Sequence, residues 1–345
     1  MSEMAAVRSL PARRTALKAG LAGGLAGLLL PTLASCTPED RPGTVTVAGG
    51  EPGGFYLEFS TLLAEALQRH GVAENATALT TGGSLDNLNH LLTGKATFAV
   101  ALADAAAKLA AAEGTTPATG DIAALGKVYE NYVHCVVRRN SGIRDFSELA
   151  GRTVAVGQPG SGTSLTTPRL IEAAGLISTD AGAAAPKPLA PAGKSITVMN
   201  LGLNDGLAAL RTGSVDALFW SGGVPTAAIA ATHKEIGLAF LDLSALIPAM
   251  RTRHGAFYDR VLIPAGAYEG IPAVWTVGVA NLLLCRHDLA ESTVKRTVEL
   301  LVSFAQELIP RSSLGVQFLS PESLINTAGL PLHPAAEAAY RALHG

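Results

Sequence analysis

Apolar positions along the chain follow two alternating periods. Short apolar and β-branched runs, such as TVTVAG at 44–49 and RTVAVG at 152–157, predict strands. Each run is followed by a turn rich in glycine and serine, and then by apolar residues spaced for a helix, such as Leu57, Leu63 and Leu67. The repetition of strand, turn and helix predicts an α/β protein with parallel or mixed sheets covered by helices on both faces.

Four of these turns share a composition and a place before a helix. They read GEPGGFY at 50–56, GGS at 82–84, QPGSGT at 158–163 and SGG at 221–223. The start of a helix presents N–H groups without intrahelical partners and a partial positive charge, and glycine lets this backbone approach a ligand closely. Turns that converge on one cleft would therefore bind an anion without a buried lysine or arginine. The alternative for each hydroxyl residue is a helix N-cap with no ligand.

Sequence motifs of enzymes and metal sites do not occur. The QPGSGT turn lacks the lysine of a phosphate-binding loop and the last glycine of a dinucleotide fingerprint, and the patterns G-x-S-x-G, H-E-x-x-H and C-x-x-C are missing. The eight histidines are scattered without the spacing of metal ligands. We therefore expect no cofactor, no metal and no catalytic residue.

Residues 1–36 have the pattern of an export signal. A basic start that includes Arg13 and Arg14, as in a twin-arginine motif, precedes an uncharged run that is too short to remain as a membrane span. The segment LASC, which ends at Cys36, resembles a lipobox. We expect a lipid on Cys36, a polar tether over 37–43 and an exported protein anchored to the outer face of the cell membrane. The alternative is an unmodified thiol in a discarded peptide.

The remaining 309 of 345 residues carry 22 basic and 27 acidic side chains, because the signal holds four of the 26 bases and one of the 28 acids. A net charge of about −5 argues against a nucleic acid as partner. A chain of this length normally divides into two lobes. Cys135 and Cys285 lie in apolar, strand-like runs. An exported protein permits a disulfide between them, and two buried free thiols are the alternative.

Six segments, in this order, resemble those of a known family. They are TVTVAGGEPGGFYLEFSTLLAEAL, TTGGSLDNLNHLLTGKATFAVALAD, RTVAVGQPGSGTSLTTPRLIEAAGL, VDALFWSGGVPTAAI, FYDRVLIPAGAYEGIPAVWTVGVANLLLCRHDL and GLPLHPAAEAAYRA. The sequence resembles the TAXI family of extracytoplasmic solute receptors, the ligand-binding subunits of one branch of TRAP transporters, over nearly all of the chain after the signal. It departs from the family pattern at Pro52 and Phe55, which affects the choice of solute, and at Ala335, which affects packing.

The resemblance implies an α/β fold of the type II periplasmic-binding-protein kind, with two lobes of mixed sheet joined by hinge strands. We expect lobe 1 over residues 44–140 and 271–345 and lobe 2 over residues 141–270. The first crossing between lobes is expected after 132–142 and the return near 263–270. Both cysteines would then lie on strands of one lobe.

A cleft between these lobes is the expected ligand site. Hydroxyl and backbone N–H groups of the turns would hold a carboxylate, aromatic residues would form two opposing walls, and one acidic residue would accept from a ligand amine. The expected ligand-binding residues are Gly53, Gly54, Phe55, Tyr56, Gly83, Ser84, Asn87, Asp104, Ser161, Gly162, Thr163, Trp220, Ser221 and Gly222. Core packing is the alternative for Phe55 and Trp220.

The resemblance also implies a solute and partners. The solute would be a small organic acid or amino acid, glutamate-like in particular, delivered to TRAP transporter membrane subunits by a monomer. The neutral turns suit one carboxylate; Arg138, Arg139 and Arg144 could serve a second acid group or form a surface stripe. Two alternatives remain open: a lipoprotein that senses its ligand and signals to a membrane partner, and an enzyme built on the same fold.

Overall fold

The computed structural model describes residues 41–112, 121–181, 194–311, 313 and 319–344. The predicted signal at 1–36, the predicted lipid on Cys36 and the start of the predicted tether at 37–43 lie outside the described residues. The described residues belong to one compact unit.

Strands and helices alternate along most of the described chain, as the apolar pattern predicts. The strands are β1 (Thr44–Ala48), β2 (Asn75–Leu79), β3 (Phe98–Leu102), β4 (Ile122–Arg138), β5 (Thr153–Ala155), β6 (Ile177–Asp180), β7 (Ser195–Met199), β8 (Ala217–Gly222), β9 (Leu238–Phe240), β10 (Tyr258–Ile263) and β11 (Val274–Arg286). The helices are α1 (Phe55–Arg69), α2 (Ser84–Leu92), α3 (Ala103–Ala112), α4 (Gly162–Ala173), α5 (Leu203–Thr212), α6 (Ala227–Ile236), α7 (Ile247–His254), α8 (Glu291–Ser303), α9 (Pro321–Leu324) and α10 (Pro334–His344).

The described strands form one mixed sheet in the order β2-β1-β3-β11-β4-β8-β5-β7-β6. Strands β1, β2 and β3 are parallel to one another, and so are β5, β6, β7 and β8. Between these two groups, β11 and β4 run antiparallel to their neighbours. The predicted α/β class with a mixed sheet is therefore confirmed.

The long strand β4 connects the two parallel groups. Residues Ile122 to Tyr132 pair with β11, whereas Tyr132 to Val137 pair with β8. The chain thus changes its pairing partner within β4, and the crossing after 132–142 remains a prediction. The predicted return near 263–270 is the turn between β10 and β11, which pair with each other. The lobe limits at 140 and 270 remain predictions.

Buried apolar side chains form three clusters against this sheet. One joins β1 and β3 to α1, α8 and α10, and another joins β4 and β8 to α5 and α6. The third contains Leu88 of α2, Ala105 of α3, Leu170 of α4 and Met250 of α7. This central cluster joins helices of both parallel groups, so the groups share an apolar contact in this structure.

The predicted apolar stripe of α1 is shifted by one position. Leu63 and Leu67 are buried together with Phe59 and Ala66, as expected. Leu57 is only half-buried. The reason is helical geometry, since Tyr56 and not Leu57 lies three positions before Phe59 on the inner face.

The two cysteines are free and buried. Cys135 pairs with Phe219 of β8, and Cys285 pairs with Ala123 near the start of β4. Their strands are adjacent, but twelve residues of β4 separate Ala123 from Cys135, which corresponds to ~40 Å along an extended strand. This separation rules out a disulfide within the chain.

Candidate functional site

The four glycine- and serine-rich turns meet at one cavity. The space between them, including the open solvent at its mouth, measures about 380 Å³. Eleven of the fourteen residues predicted from the sequence line it: Gly54, Phe55, Tyr56, Gly83, Ser84, Ser161, Gly162, Thr163, Trp220, Ser221 and Gly222. The strands of each parallel group direct their carboxyl ends, and thus the helix starts that follow, toward this gap.

Backbone contacts bring the turns before α2 and α4 together. The N–H groups of Leu85 and Asp86 donate to the carbonyl oxygen of Gly160 at 2.9 and 3.1 Å. A Cβ atom on Gly162 would lie 2.5 Å from Leu102 Cδ1 and 2.8 Å from Ser84 Oγ. Only glycine at 162 therefore allows the start of α4 to approach α2 and β3 so closely.

The hydroxyl groups at α4 and β8 present their hydrogens to the cavity. Ser161 Oγ accepts from the N–H of Ser164, which makes Ser161 the N-cap of α4. Thr163 Oγ1 accepts from the N–H of Ser221, and Ser221 Oγ accepts from Asn131 Nδ2. Within the described residues no acceptor takes the hydroxyl hydrogens of Ser161, Thr163 or Ser221, so all three remain for a ligand.

Ser84 is used differently from its neighbours. Its Oγ accepts from the N–H of Leu102 and lies 3.1 Å from Tyr56 Oη. The Tyr56 hydroxyl donates to Asn281 Oδ1, so the hydrogen between Tyr56 and Ser84 is that of Ser84. The contribution of Ser84 to a ligand is then its backbone N–H at the start of α2.

One wall of the cavity consists of Phe55 and Tyr56 in the first turn of α1. Both rings make edge contacts with Tyr129, with centroids 5.2 and 6.2 Å apart. Burial raises the pKa of Tyr56, so its hydroxyl stays protonated. This wall therefore belongs both to the core and to the cavity. For Phe55 the sequence left ligand contact and core packing as alternatives, and the structure shows it packed in the core and lining the cavity.

Trp220 forms the opposite wall. Its indole Nε1 donates to Thr226 Oγ1 at 3.1 Å, and a Cβ on Gly54 would lie 3.2 Å from the Trp220 ring. Thr226 Oγ1 in turn donates to the carbonyl oxygen of Gly223 at 2.7 Å. The indole is thus held in one orientation against the turn of the facing wall.

A buried chain of hydrogen bonds holds Thr226 in place. The Thr226 N–H donates to Tyr268 Oη at 2.8 Å, and Tyr268 Oη lies 2.9 Å from His134 Nε2. The other ring nitrogen of His134 lies 2.9 Å from the carbonyl oxygen of Tyr132 and donates to it. Burial lowers the pKa of His134 to about 4. The neutral imidazole therefore accepts from Tyr268, and the chain from β4 to Trp220 is fully paired.

Three predicted residues do not line the cavity. Gly53 lies on the surface and adopts a φ of +80°. Asn87 is buried, with Nδ2 donating to the carbonyl oxygens of Gly49 and Val100 and Oδ1 accepting from Thr81. These bonds fasten the turn after β1 to β3, and its amide has no group left for a ligand.

Asp104 is the third predicted residue away from the cavity. Its side chain is completely buried, and Oδ2 accepts from Arg169 Nη1 at 2.8 Å and from the Tyr258 hydroxyl at 3.1 Å. Burial raises the pKa of Asp104, and the guanidinium of Arg169 opposes this effect. Asp104 thus joins α3 to α4 and β10, and the acceptor for a ligand amine has to be sought elsewhere.

Five lining residues escaped the sequence interpretation: Gly50, Glu51, Gly82, Leu102 and Asn131. Glu51 Oε2 accepts from the N–H of Leu203 at 2.9 Å and so caps α5 from the turn after β1; burial raises its pKa. Asn131 is a polar residue inside the apolar run of β4, a signal that the sequence did contain. No lysine or arginine lines the cavity as described.

Other kinds of site are not found in the described part of the chain. It has no group of three or more histidine, cysteine, aspartate or glutamate side chains that could hold a metal ion. None of the described helices is both long and apolar enough to cross a membrane.

Comparisons with known proteins agree with this architecture. A model of the NMT1-like family matches residues 47–342, and the chain belongs to this family. A solved protein of Bordetella bronchiseptica RB50 superposes with a TM-score of 0.52 at 13% identity, over 88% of this chain and 98% of the other. A Xanthomonas citri protein solved with bound chloride ion gives a TM-score of 0.50 at 13% identity, over 87% and 96% of the two chains. At this identity these likenesses show the fold.

Proposed function

We propose that the protein is an extracytoplasmic solute receptor that captures a small organic acid or amino acid in the cavity between its two parallel strand groups. The observation that carries this proposal is a set of neutral hydrogen-bond donors at one cavity, without a basic side chain among the described lining residues. The starts of α1, α2 and α4 and the hydroxyls of Ser161, Thr163 and Ser221 converge on one cavity, and no lysine or arginine lines it. Such donors bind an anion through N–H and O–H groups.

The lining supports one carboxylate more directly than two. Arg138 Nη1 donates to the carbonyl oxygens of Leu210 and Val215, and neither Arg139 nor Arg144 lines the cavity. The glutamate-like solute therefore rests on the resemblance to the TAXI family alone, whereas a single acid group rests on the site.

Binding and closure are coupled in this proposal. The bonds from Leu85 and Asp86 to Gly160, and from Leu203 to Glu51, join turns of the two strand groups across the cavity. If the groups separate, these bonds break and the donors become hydrated. A ligand that contacts both sides stabilises the closed arrangement by its differential affinity for it.

The proposal also includes delivery of the solute to TRAP transporter membrane subunits, a lipid anchor on Cys36 and a monomeric state. They follow from the six segments that resemble the TAXI family and from the lipobox at the end of the signal. Membership of the NMT1-like family is compatible with them. The alternative is a lipoprotein that signals to a membrane partner. It would bind its ligand in the same cavity, but a signalling protein would recognise its closed form instead of a transporter.

The proposal can be tested on a purified chain starting at Thr37, which contains the whole compact unit. Native mass spectrometry identifies any molecule retained from the host cell, and a thermal-shift screen compares organic acids and amino acids with their primary amides. We expect acids to raise the melting temperature because they bind only the folded state, whereas the amides should not. Equal shifts for acids and amides, or no shift with any acid, would contradict an anion site.

A further inference from the structure

Asn131 combines almost complete burial with an unused acceptor. It lies in the middle of β4, is 1% exposed and lines the cavity. Its Nδ2 lies 3.1 Å from the carbonyl oxygen of Ser221 and 3.3 Å from Ser221 Oγ. The first contact identifies this atom as the nitrogen, because a flipped amide would place two oxygens against each other. In the part of the chain that the structure describes, Asn131 Oδ1 has no hydrogen-bond partner.

This oxygen differs from the groups around it. The hydroxyls of Ser161, Thr163 and Ser221 offer hydrogens, as do the first N–H groups of α4. A buried acceptor without a donor is unfavourable and is rare in folded proteins. The donor set suits the carboxylate of a ligand, and Asn131 Oδ1 suits a hydrogen-bond donor on that ligand.

The connection between the two kinds of group places them side by side. Ser221 Oγ accepts from Asn131 Nδ2, and the Ser221 N–H donates to Thr163 Oγ1. The acceptor of Asn131 is therefore one amide group away from the hydroxyls that would hold the carboxylate. A substituent on the carbon atom that carries the carboxylate lies beside that carboxylate in the same way.

We propose that Asn131 is a specificity-determining residue, whose Oδ1 accepts a hydrogen bond from an ammonium or hydroxyl group on the carbon next to the carboxylate of the ligand. This inference rests on the proposed function. Asn131 would then make the protein bind 2-amino or 2-hydroxy acids more tightly than the same acids without the substituent. Asp104, which the sequence suggested for this part, does not line the cavity, and its Oδ2 accepts from Arg169 and Tyr258.

Two matched sets of acids test the proposal by calorimetry. One set is L-glutamate, 2-hydroxyglutarate and glutarate, and the other is L-alanine, L-lactate and propionate. For at least one skeleton, we expect the wild-type chain to bind a substituted acid at least about tenfold more tightly than the unsubstituted one. The ammonium and hydroxyl members then show which donor Asn131 accepts.

Variants separate Asn131 from general damage to the site. Asn131→Leu removes the acceptor at similar volume and should bring the ratio of the two dissociation constants close to one. The control Ser161→Ala removes a hydroxyl that faces the carboxylate and is not bonded to Asn131, and it should weaken binding of all members of a set by a common factor, with the ratio unchanged. If Asn131→Leu does not fold, Asn131→Ala removes the acceptor without adding bulk and should likewise bring the ratio close to one.

The outcomes distinguish this inference from the proposed function. Tight binding of glutarate or propionate, equal to that of the substituted acids, would overturn the role of Asn131 and leave a carboxylate receptor standing. The same ratio in Asn131→Leu as in the wild type would also overturn it. Binding of none of the six acids, together with a retained molecule that has no acid group, would overturn the proposed function itself.

Discussion

Replacement of Thr163 by valine tests whether the start of α4 holds the carboxylate. Valine has nearly the shape of threonine but neither donates a hydrogen nor accepts one. Thr163 is 3% exposed, and its Oγ1 accepts from the N–H of Ser221 at 3.0 Å. The substitution therefore removes a donor to the ligand and leaves the Ser221 N–H, which lies at the same wall, without its acceptor.

Two magnitudes follow. Loss of a hydrogen bond to a charged group is worth about 1.5–3 kcal/mol, which weakens binding by at least about tenfold. The unpaired N–H costs about 1–3 kcal/mol of stability in the empty protein, a fall in melting temperature of about 2–5 °C for a chain of this length. The melting temperature of the empty protein should therefore change, because Thr163 also accepts from the backbone N–H of Ser221.

Titration calorimetry and thermal unfolding measure the two effects separately. The matched control is Thr163→Ser, which keeps the hydroxyl and loses a methyl group. Its affinity for the acid should lie within a few-fold of that of the wild type, and the Ser221 N–H should keep its hydrogen-bond acceptor. If Thr163→Val binds the acid as tightly as Thr163→Ser does, the carboxylate does not lie at α4, and the reasoning from its first turn is refuted.

Three further predictions concern the surroundings of the cavity. Gly162→Ala should weaken binding, because its Cβ would lie 2.5 Å from Leu102 Cδ1 and would push α4 away from β3; unchanged affinity would show that this close approach is not needed. Asp104→Asn should lower the free energy of unfolding, measured with denaturant, by about 3 kcal/mol, because it leaves the buried charge of Arg169 unpaired. A decrease no larger than that for an exposed ion pair would contradict this. Because burial lowers the pKa of His134 from 6.5 to about 4, the unfolded chain takes up a proton first as the pH falls, so about 3 kcal/mol of stability should be lost between pH 6.5 and 4. In His134→Gln, the free energy of unfolding should depend less on pH over this range. The same pH dependence as in the wild type would show that other groups cause the effect.

The site could be predicted from the sequence where chemistry follows the strand-to-helix pattern. Ser161, Gly162 and Thr163 lie between a β-branched run and a helix, and this order places them at the carboxyl end of the sheet whatever the rest of the chain does. Trp220 lies two residues before the end of β8, a strand of the same kind. The order of strand, turn and helix in the sequence sets the end of the sheet at which these residues lie. Their meeting at one cavity then requires only that the two parallel strand groups direct their carboxyl ends toward each other.

Residues whose role depends on distant partners could not be assigned in this way. Asp104 follows a strand just as Ser161 follows β5, but Arg169 and Tyr258, 65 and 154 positions away, take its carboxylate. Asn87 is fixed by backbone oxygens of two strands. The sequence of β4 does not mark the point at which its pairing changes from β11 to β8, because the strand is buried on both sides of that point and carries polar residues such as Glu130, Asn131 and His134 within it.

A crystal structure of the chain with an acid from the thermal-shift screen tests the central claim most directly. The account predicts the carboxylate in the cavity, within hydrogen-bond distance of Thr163 Oγ1 and of the first N–H groups of α4, with the ligand between Tyr56 and Trp220. A carboxylate held by Arg138 or Arg139, or a ligand bound outside this cavity, would contradict it.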